Sequence, residues 1–160
     1  MRKNMTQWGI GPKLALIGVP YFIIALIISR LWNNVFAFNI APRSYIMALG
    51  LILLFIGIKF YIKTLKTFVL HFNQGVLLTR GTYSMCRNPI YSSFIVFFIP
   101  AISLLVNSWL CLTTFVVVYI MFKLNIENEY NYLKEKFKED YINYENKVNE
   151  LFPMYRIKKM

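Results

Sequence analysis

Residues 90–124, IYSSFIVFFIPAISLLVNSWLCLTTFVVVYIMFKL, contain two long apolar runs, Ile90–Val106 and Trp109–Leu124. A helix needs roughly 17 to 25 apolar residues to cross a hydrocarbon core of about 30 Å, so each run approaches the length of a membrane span. Only Asn107 and Ser108 separate the two runs. The pattern therefore predicts a tight antiparallel hairpin of two transmembrane helices.

Two further apolar runs precede this hairpin, at Leu14–Ser29 and Tyr45–Ile62. The 160 residues are 58% hydrophobic, which fits one bundle of membrane spans with short connections. We therefore expect an all-α integral membrane protein that forms a single domain over residues 1–160, with about four transmembrane helices. The longest and most polar connection is predicted at residues 63–89.

Charge is distributed unevenly along the chain. All seven acidic residues lie at or after Glu127, whereas 11 of the 18 basic residues precede it. The net excess of +11 thus lies in the membrane part, where it favours contact with anionic lipid headgroups over binding to nucleic acid. With two cysteines and one histidine, the chain has too few soft ligands for a zinc site, so we expect no metal.

The distribution of Lys and Arg predicts the orientation in the membrane. These residues cluster in the N-terminal segment, in residues 63–89 and from Lys123 onward, whereas the turn at Asn107 and Ser108 has none. Positively charged connections stay preferentially in the cytoplasm. We therefore expect a multi-pass protein whose termini and connection 63–89 all face the cytoplasm.

The C-terminal segment, residues 127–149, is polar overall but carries one apolar stripe. Its members recur every three or four residues and are Tyr130, Leu133, Phe137, Tyr141, Tyr144, Val148 and Leu151. This spacing predicts an amphipathic cytoplasmic helix, which Pro153 ends.

Two stretches carry recognisable motifs, GVLLTRGTYSMCRNPIYSS at residues 75–93 and ENEYNYLKEKFKEDYINYENKV at residues 127–148. The first matches G-x-Y-x-x-x-R-[HN]-P-x-Y, and the second matches a Glu pair followed, after a Leu, by F-G-x-x-Y-x-x-Y-x-x-x-V. The matching residues are Gly81, Tyr83, Arg87, Asn88, Pro89, Tyr91, Glu129, Phe137, Tyr141, Tyr144 and Val148. With a helical hairpin between the motifs, residues 45–153 resemble the isoprenylcysteine carboxyl methyltransferase family and the related phospholipid methyltransferases.

The resemblance implies S-adenosylmethionine-dependent methylation of a lipophilic substrate that enters from the bilayer. Carried over by position, the cofactor-binding residues would be Gly75, Val76, Leu77, Leu78, Tyr83, Asn88, Pro89, Ile90, Tyr91 and Glu129. Glu129 would hold the polar end of the cofactor, and Arg87 is the candidate catalytic residue. The family's substrate-binding Arg falls at Asn125 here, so Lys123 and Asn125 are the candidate substrate-binding residues.

The chain departs from the family pattern at three further positions. Asn88 stands where many members have His, and Tyr130 stands in place of the second Glu of the tail motif. Lys138 replaces the Gly that follows Phe137, which predicts that the tail helix continues through this point.

Several functions stay open on the sequence alone. The lack of carboxylates before Glu127 and the positive excess favour an anionic acceptor, so O-methylation of a lipophilic acid is the main prediction. The alternatives are a phospholipid amine N-methyltransferase, a non-enzymatic membrane subunit and a steroid-type membrane reductase with a nicotinamide cofactor. The sequence indicates no oligomeric state.

Overall fold

The computed structural model describes residues 9–71 and 75–154 of the chain. Within these ranges it is helical and has no strand, which confirms the predicted all-α class. The helices are α1 (Gly11–Leu31), α2 (Asn33–Phe36), α3 (Arg43–His71), α4 (Pro89–Leu105), α5 (Trp109–Asn125) and α6 (Glu127–Lys147), with a 3-10 turn at Gly81–Ser84. Both chain termini, and residues 72–74 of the predicted connection, lie outside the described ranges.

Two helices, α1 and α3, are long and apolar enough to cross a membrane. Helix α5 reaches that length only together with α6, from which it is bent by 43°, and α4 is apolar but shorter. The described part of the chain therefore has two such helices, or three if the bent pair is one span. This makes the chain an integral membrane protein.

Helix α3 is longer than its apolar run predicts. The helix continues from Ile62 to His71, so residues 63–71 of the predicted connection are helical and that prediction was wrong. Its 29 residues extend roughly 43 Å at 1.5 Å per residue, more than the hydrocarbon core requires. Because Lys63 and Lys66 can extend their charged ends toward the headgroups, they interrupt the hydropathy without ending the helix.

Helices α4 and α5 form a hairpin that turns at Asn107 and Ser108. Asn107 adopts a positive φ of 58°, which Asn tolerates better than most residues, and the Ser108 hydroxyl accepts from the Cys111 N–H at 3.1 Å. A π-helical turn, Ser93–Phe98, ends two residues before Pro100. The wider turn accommodates the proline, which has no N–H to donate to the preceding turn.

The four apolar helices pack as a series of neighbours, with α1 on α5, α5 on α4 in the hairpin, and α4 on α3. Helix α1 packs on α5, and the Tyr21 hydroxyl lies 2.8 Å from Thr113 Oγ1. Helix α3 packs on α4 through aromatic contacts such as Phe60 with Phe97, whose ring centroids are 5.5 Å apart. Much of the space between the α1–α5 pair and α3 is therefore left open.

The tail forms a helix from Glu127 to Lys147, but not a continuous one. At Lys138 the backbone has φ 47° and ψ −122°, so the prediction that the helix continues through this residue was wrong. Beyond the break, the Tyr144 hydroxyl in the second half of α6 donates to the carbonyl oxygen of Tyr83 at 2.6 Å. The conformation that the family pattern assigns to a glycine is thus kept by a lysine.

Candidate active site

A large cavity of about 1130 Å³ lies where the loop after α3, the first turn of α4 and the tail helix α6 meet. It extends between α1 and α3, where its walls are apolar. From α1 it is lined by Leu14, Ala15, Gly18, Val19, Phe22 and Ile23, and from α3 by Leu54, Ile58, Tyr61, Leu65 and Phe68. The cavity thus joins a polar end to an apolar channel along the membrane helices.

Glu129 lies at the polar end of the cavity, on the first turn of α6. Its Oε1 accepts hydrogen bonds from the Ile10 N–H at 2.6 Å and from the Tyr91 hydroxyl at 3.0 Å. Burial raises the pKa of this carboxyl group, and the two hydrogen bonds oppose that rise by stabilising the charged form. The carboxylate therefore has a fixed orientation.

Asn88 joins the start of α4 to the end of the tail. Its Nδ2 donates to the Tyr130 hydroxyl at 2.6 Å and to the carbonyl oxygen of Glu150 at 3.0 Å. The backbone N–H of Arg87 donates to the carbonyl oxygen of Asn149 at 2.8 Å. Asn88 precedes the helix, but its side chain makes no capping hydrogen bond to it.

Arg87 lies in an ion-pair network beneath the cavity. Its Nη1 lies 2.5 Å from Glu145 Oε1, Lys134 contacts the other oxygen of Glu145 at 3.0 Å, and the guanidinium stacks over the Tyr130 ring at 4.8 Å. Burial alone would lower the pKa of Arg87, but Tyr130 and Glu145 outweigh it and raise the pKa. The Arg87 Nε is buried and has no hydrogen-bond partner within the described ranges, so one donor of this cation is unused.

Tyrosines form much of the polar wall. Tyr83, Tyr130, Tyr141 and Tyr144 line the cavity, and burial raises the pKa of each hydroxyl, to about 12 for Tyr141. These groups therefore stay neutral at physiological pH and can donate hydrogen bonds or present aromatic faces to a cation.

All ten residues predicted to bind the cofactor line this single cavity, and so does Arg87. The loop residues and Glu129 are separated by about a third of the chain, yet the fold brings them together. Their roles in binding stay predictions, because the geometry establishes position and not occupancy.

The two predicted substrate-binding residues do not reach the cavity. Lys123 Nζ contacts the carboxylate oxygens of Glu150 at 2.8 and 3.0 Å, and Asn125 Nδ2 donates to the carbonyl oxygen of Met121 at 2.8 Å. Phe122 takes the inward face of α5 at this level and is fully buried. Lys123 is one residue further around the helix, so it points toward the tail instead.

Sequence reasoning missed other residues of the site. Ile10 contacts Glu129 from 119 residues away, and Lys136 lines the cavity from α6. Glu145 pairs with Arg87 across 58 residues. Periodicity carries no signal for such long-range contacts. For Glu145 the sequence offers one hint. Every acidic residue lies at or after Glu127, so an acidic partner of Arg87 has to come from that part of the chain. Within the described ranges, no cluster of His, Cys, Asp and Glu could hold a metal ion.

Comparison with known proteins shows that much of the chain matches one family. A family model described as phospholipid methyltransferase matches residues 40–140. The curated protein "Protein-S-isoprenylcysteine O-methyltransferase B" of Arabidopsis thaliana is 33% identical over 72 residues, which cover 45% of this chain and 36% of that protein. The match thus spans about a third of the curated relative. No solved structure matches the chain.

Proposed function

The chain belongs to the phospholipid methyltransferase family, and from this premise we propose that it is an S-adenosylmethionine-dependent methyltransferase acting on a lipophilic substrate in the membrane. One observation carries the proposal. The loop 75–78, the first turn of α4 and Glu129 surround one cavity, and that cavity continues along the apolar faces of α1 and α3. A polar end for the donor and an apolar channel for a lipid are what such a reaction needs.

The dimensions and donors of the cavity fit this cofactor. Pockets for drug-sized ligands measure roughly 300–1,000 Å³, so about 1130 Å³ has room for a nucleoside donor and the reacting end of a lipid. When bound, S-adenosylmethionine would supply a methyl group on a cationic sulfur. Glu129 would hold its amino group, Gly75–Leu78 would line its adenosine, and the tyrosine faces would attract the positive charge.

For the acceptor, we propose the carboxylate of a lipophilic acid. The unused Nε of Arg87 is a buried cationic donor beside the cavity, and Lys136 contributes a second positive charge to its wall. A carboxylate oxygen needs no proton removed before it accepts a methyl group. Transfer also neutralises one positive and one negative charge, which a site closed to water favours over bulk solvent. Arg87 thus takes the role that the family pattern gives to an Arg at position 125.

A second candidate is methylation of a phospholipid amine. Glu129 is the one carboxylate among the described residues that line the cavity, and tyrosine faces attract ammonium groups. An amine acceptor must lose a proton, and Glu129 is the base within reach. Glu129 cannot easily hold the cofactor's amino group and act as this base together, which is why the carboxylate acceptor is preferred.

The proposed topology has four spans with both termini and the cofactor site in the cytoplasm. Ile10 and Glu129 touch, so the start of α1 and the start of the tail lie at the same end of the bundle. Trp109 Nε1 donates to the carbonyl oxygen of Val35 at 3.1 Å at the other end. A tag at residue 35 should be labelled from outside intact cells, and tags at the termini should not be. Labelling of the two termini from opposite sides would contradict four spans.

Calorimetry of the purified chain in detergent tests the cofactor. S-adenosylhomocysteine should bind and NADPH should not. Heat from NADPH alone would favour the reductase, and heat from neither ligand would favour a non-enzymatic subunit.

A further inference from the structure

We propose that Gly9 and Ile10, at the entry to α1, are a positioning element of the active site: the Ile10 N–H holds Oε1 of Glu129 and leaves Oε2 for the ligand. The inference deepens the proposed function and rests on it, because Glu129 is the group proposed to hold the amino group of the cofactor. These residues precede the region that the family model matches, residues 40–140.

Three groups from distant parts of the chain converge at this point. The Ile10 N–H lies 2.6 Å from Glu129 Oε1 and 3.0 Å from the Tyr91 hydroxyl oxygen, and that hydroxyl in turn donates to the same Oε1 at 3.0 Å. Glu129 Oε1 therefore has two donors, whereas no donor to Oε2 is found among residues 9–71 and 75–154. A carboxylate held by one oxygen presents the other in a fixed direction, which lowers the cost of ordering it when a ligand binds.

The side chain of Ile10 keeps its N–H in place. It is buried in the core cluster that also contains Phe122, Ile126 and Tyr130. Since α6 begins directly after Ile126, the same cluster fixes the turn that carries Glu129. The donor and the acceptor are thus anchored to one packed unit.

Gly9 is the residue that lets the backbone approach so closely. It has a φ of +50°, and a Cβ at this position would overlap both Glu129 Oε1 and the Tyr91 hydroxyl. At Gly11, two residues further on, the nearest atom to an added Cβ is 4.0 Å away, an ordinary contact. The chain therefore offers a matched pair of glycines, one against the carboxylate and one clear of it.

The experiment compares cofactor affinity in two pairs of variants of the full chain, with S-adenosylhomocysteine as the calorimetric probe. Gly9→Ala displaces the carboxylate and Ile10→Pro removes the N–H, so each should weaken binding by about tenfold or more. Gly11→Ala adds the same methyl group harmlessly, and Ile10→Val keeps the N–H, so each should stay within about twofold of the wild type. Ile10→Pro keeps the inference testable if Gly9→Ala does not fold.

A second readout separates positioning from simple loss of structure. If Gly9 acts through Glu129, Gly9→Ala should cause almost no further loss of affinity in a chain that already carries Glu129→Gln. A structural defect would instead add its own loss of affinity to that of Glu129→Gln. Removing the Ile10 donor should also raise the pKa of Glu129 further, so the pH below which affinity falls should move upward in Ile10→Pro.

The outcomes distinguish this inference from the proposed function. A wild type that binds S-adenosylhomocysteine while Gly9→Ala and Ile10→Pro bind equally well would overturn the positioning role and leave the function standing. The positioning role would also be overturned if the affinity loss of Gly9→Ala added fully to the affinity loss of Glu129→Gln. A wild type that does not bind the probe would overturn both.

Discussion

The side chains of Asn88 and Tyr130, two residues at which the chain departs from the family pattern, hydrogen-bond to each other, with Nδ2 2.6 Å from the hydroxyl oxygen. The family pattern has His at the first position and Glu at the second, a pair that can also hydrogen-bond. In this chain the two departures contact each other and join the α4 entry to the tail.

This coupling predicts non-additive effects on stability. Tyr130→Phe and Asn88→Ala should each reduce the free energy of unfolding by roughly 0.5–1.5 kcal/mol, because each removes the hydrogen bond between these two partly buried side chains while the remaining partner keeps a bond to Glu150. The double variant should be less destabilised than the sum of the two, by about 0.5–3 kcal/mol. Thermal or denaturant unfolding in detergent measures this. Tyr132→Phe is the control, since the Tyr132 hydroxyl makes no hydrogen bond to a described residue. Strict additivity would mean that the two side chains do not cooperate.

Glu129 and Glu135 provide a comparison on one helix. Glu129→Ala should weaken binding of S-adenosylhomocysteine roughly 10- to 150-fold, the loss of one hydrogen bond to a charged group at about 1.5–3 kcal/mol. Glu135 is exposed on the outer face of α6, so Glu135→Ala should leave the affinity nearly unchanged. Titration calorimetry at fixed salt measures both. Equal small effects would reduce Glu129 to a structural contact.

Lys138 holds a backbone conformation that favours glycine. At φ 47° and ψ −122° its Cβ is crowded, so Lys138→Gly should raise the thermal midpoint by relieving strain of order 1–3 kcal/mol, partly offset by the entropy of glycine. Glu139→Gly, one residue on in regular helix, should instead lower stability by about 0.8–1 kcal/mol. If both substitutions destabilise by the same amount, the break at Lys138 carries no strain.

Substitutions at Arg87 and Lys123 test which residue binds the acceptor. The structure favours Arg87, whereas the motif alignment favours Lys123. Arg87→Ala should lower methyl transfer roughly 10- to 150-fold, because it removes the proposed partner of the acceptor and leaves Glu145 without its buried partner. Lys123→Ala should retain most of the activity, since Lys123 pairs with Glu150 away from the cavity. Initial rates of methyl transfer in membranes measure both. The reverse ranking would return the substrate site to Lys123.

The motifs identified residues that line one cavity, because spacing along the chain determines which residues a loop and a helix start can present. The all-helical class also follows from hydropathy. Three features could not be predicted this way. Lys63 and Lys66 conceal the continuation of α3, because hydropathy treats a lysine that reaches the headgroups as the end of a span. The break at Lys138 is followed by a long-range hydrogen bond from Tyr144 to the carbonyl oxygen of Tyr83, which the local sequence pattern does not reveal. The contact between Ile10 and Glu129 joins segments 119 residues apart.

The most direct measurement of the central claim is methyl transfer itself. Membranes containing the chain are incubated with S-adenosylmethionine labelled on its methyl group, and the lipophilic fraction is extracted and treated with base. A methyl ester releases volatile methanol in base, whereas an N-methyl amine does not. We expect label in the lipophilic fraction that is lost as methanol, with slower labelling by Glu129→Ala when the donor is limiting. Base-stable label would contradict the carboxylate acceptor in favour of the amine, and no transfer above that of membranes without the chain would contradict the methyltransferase.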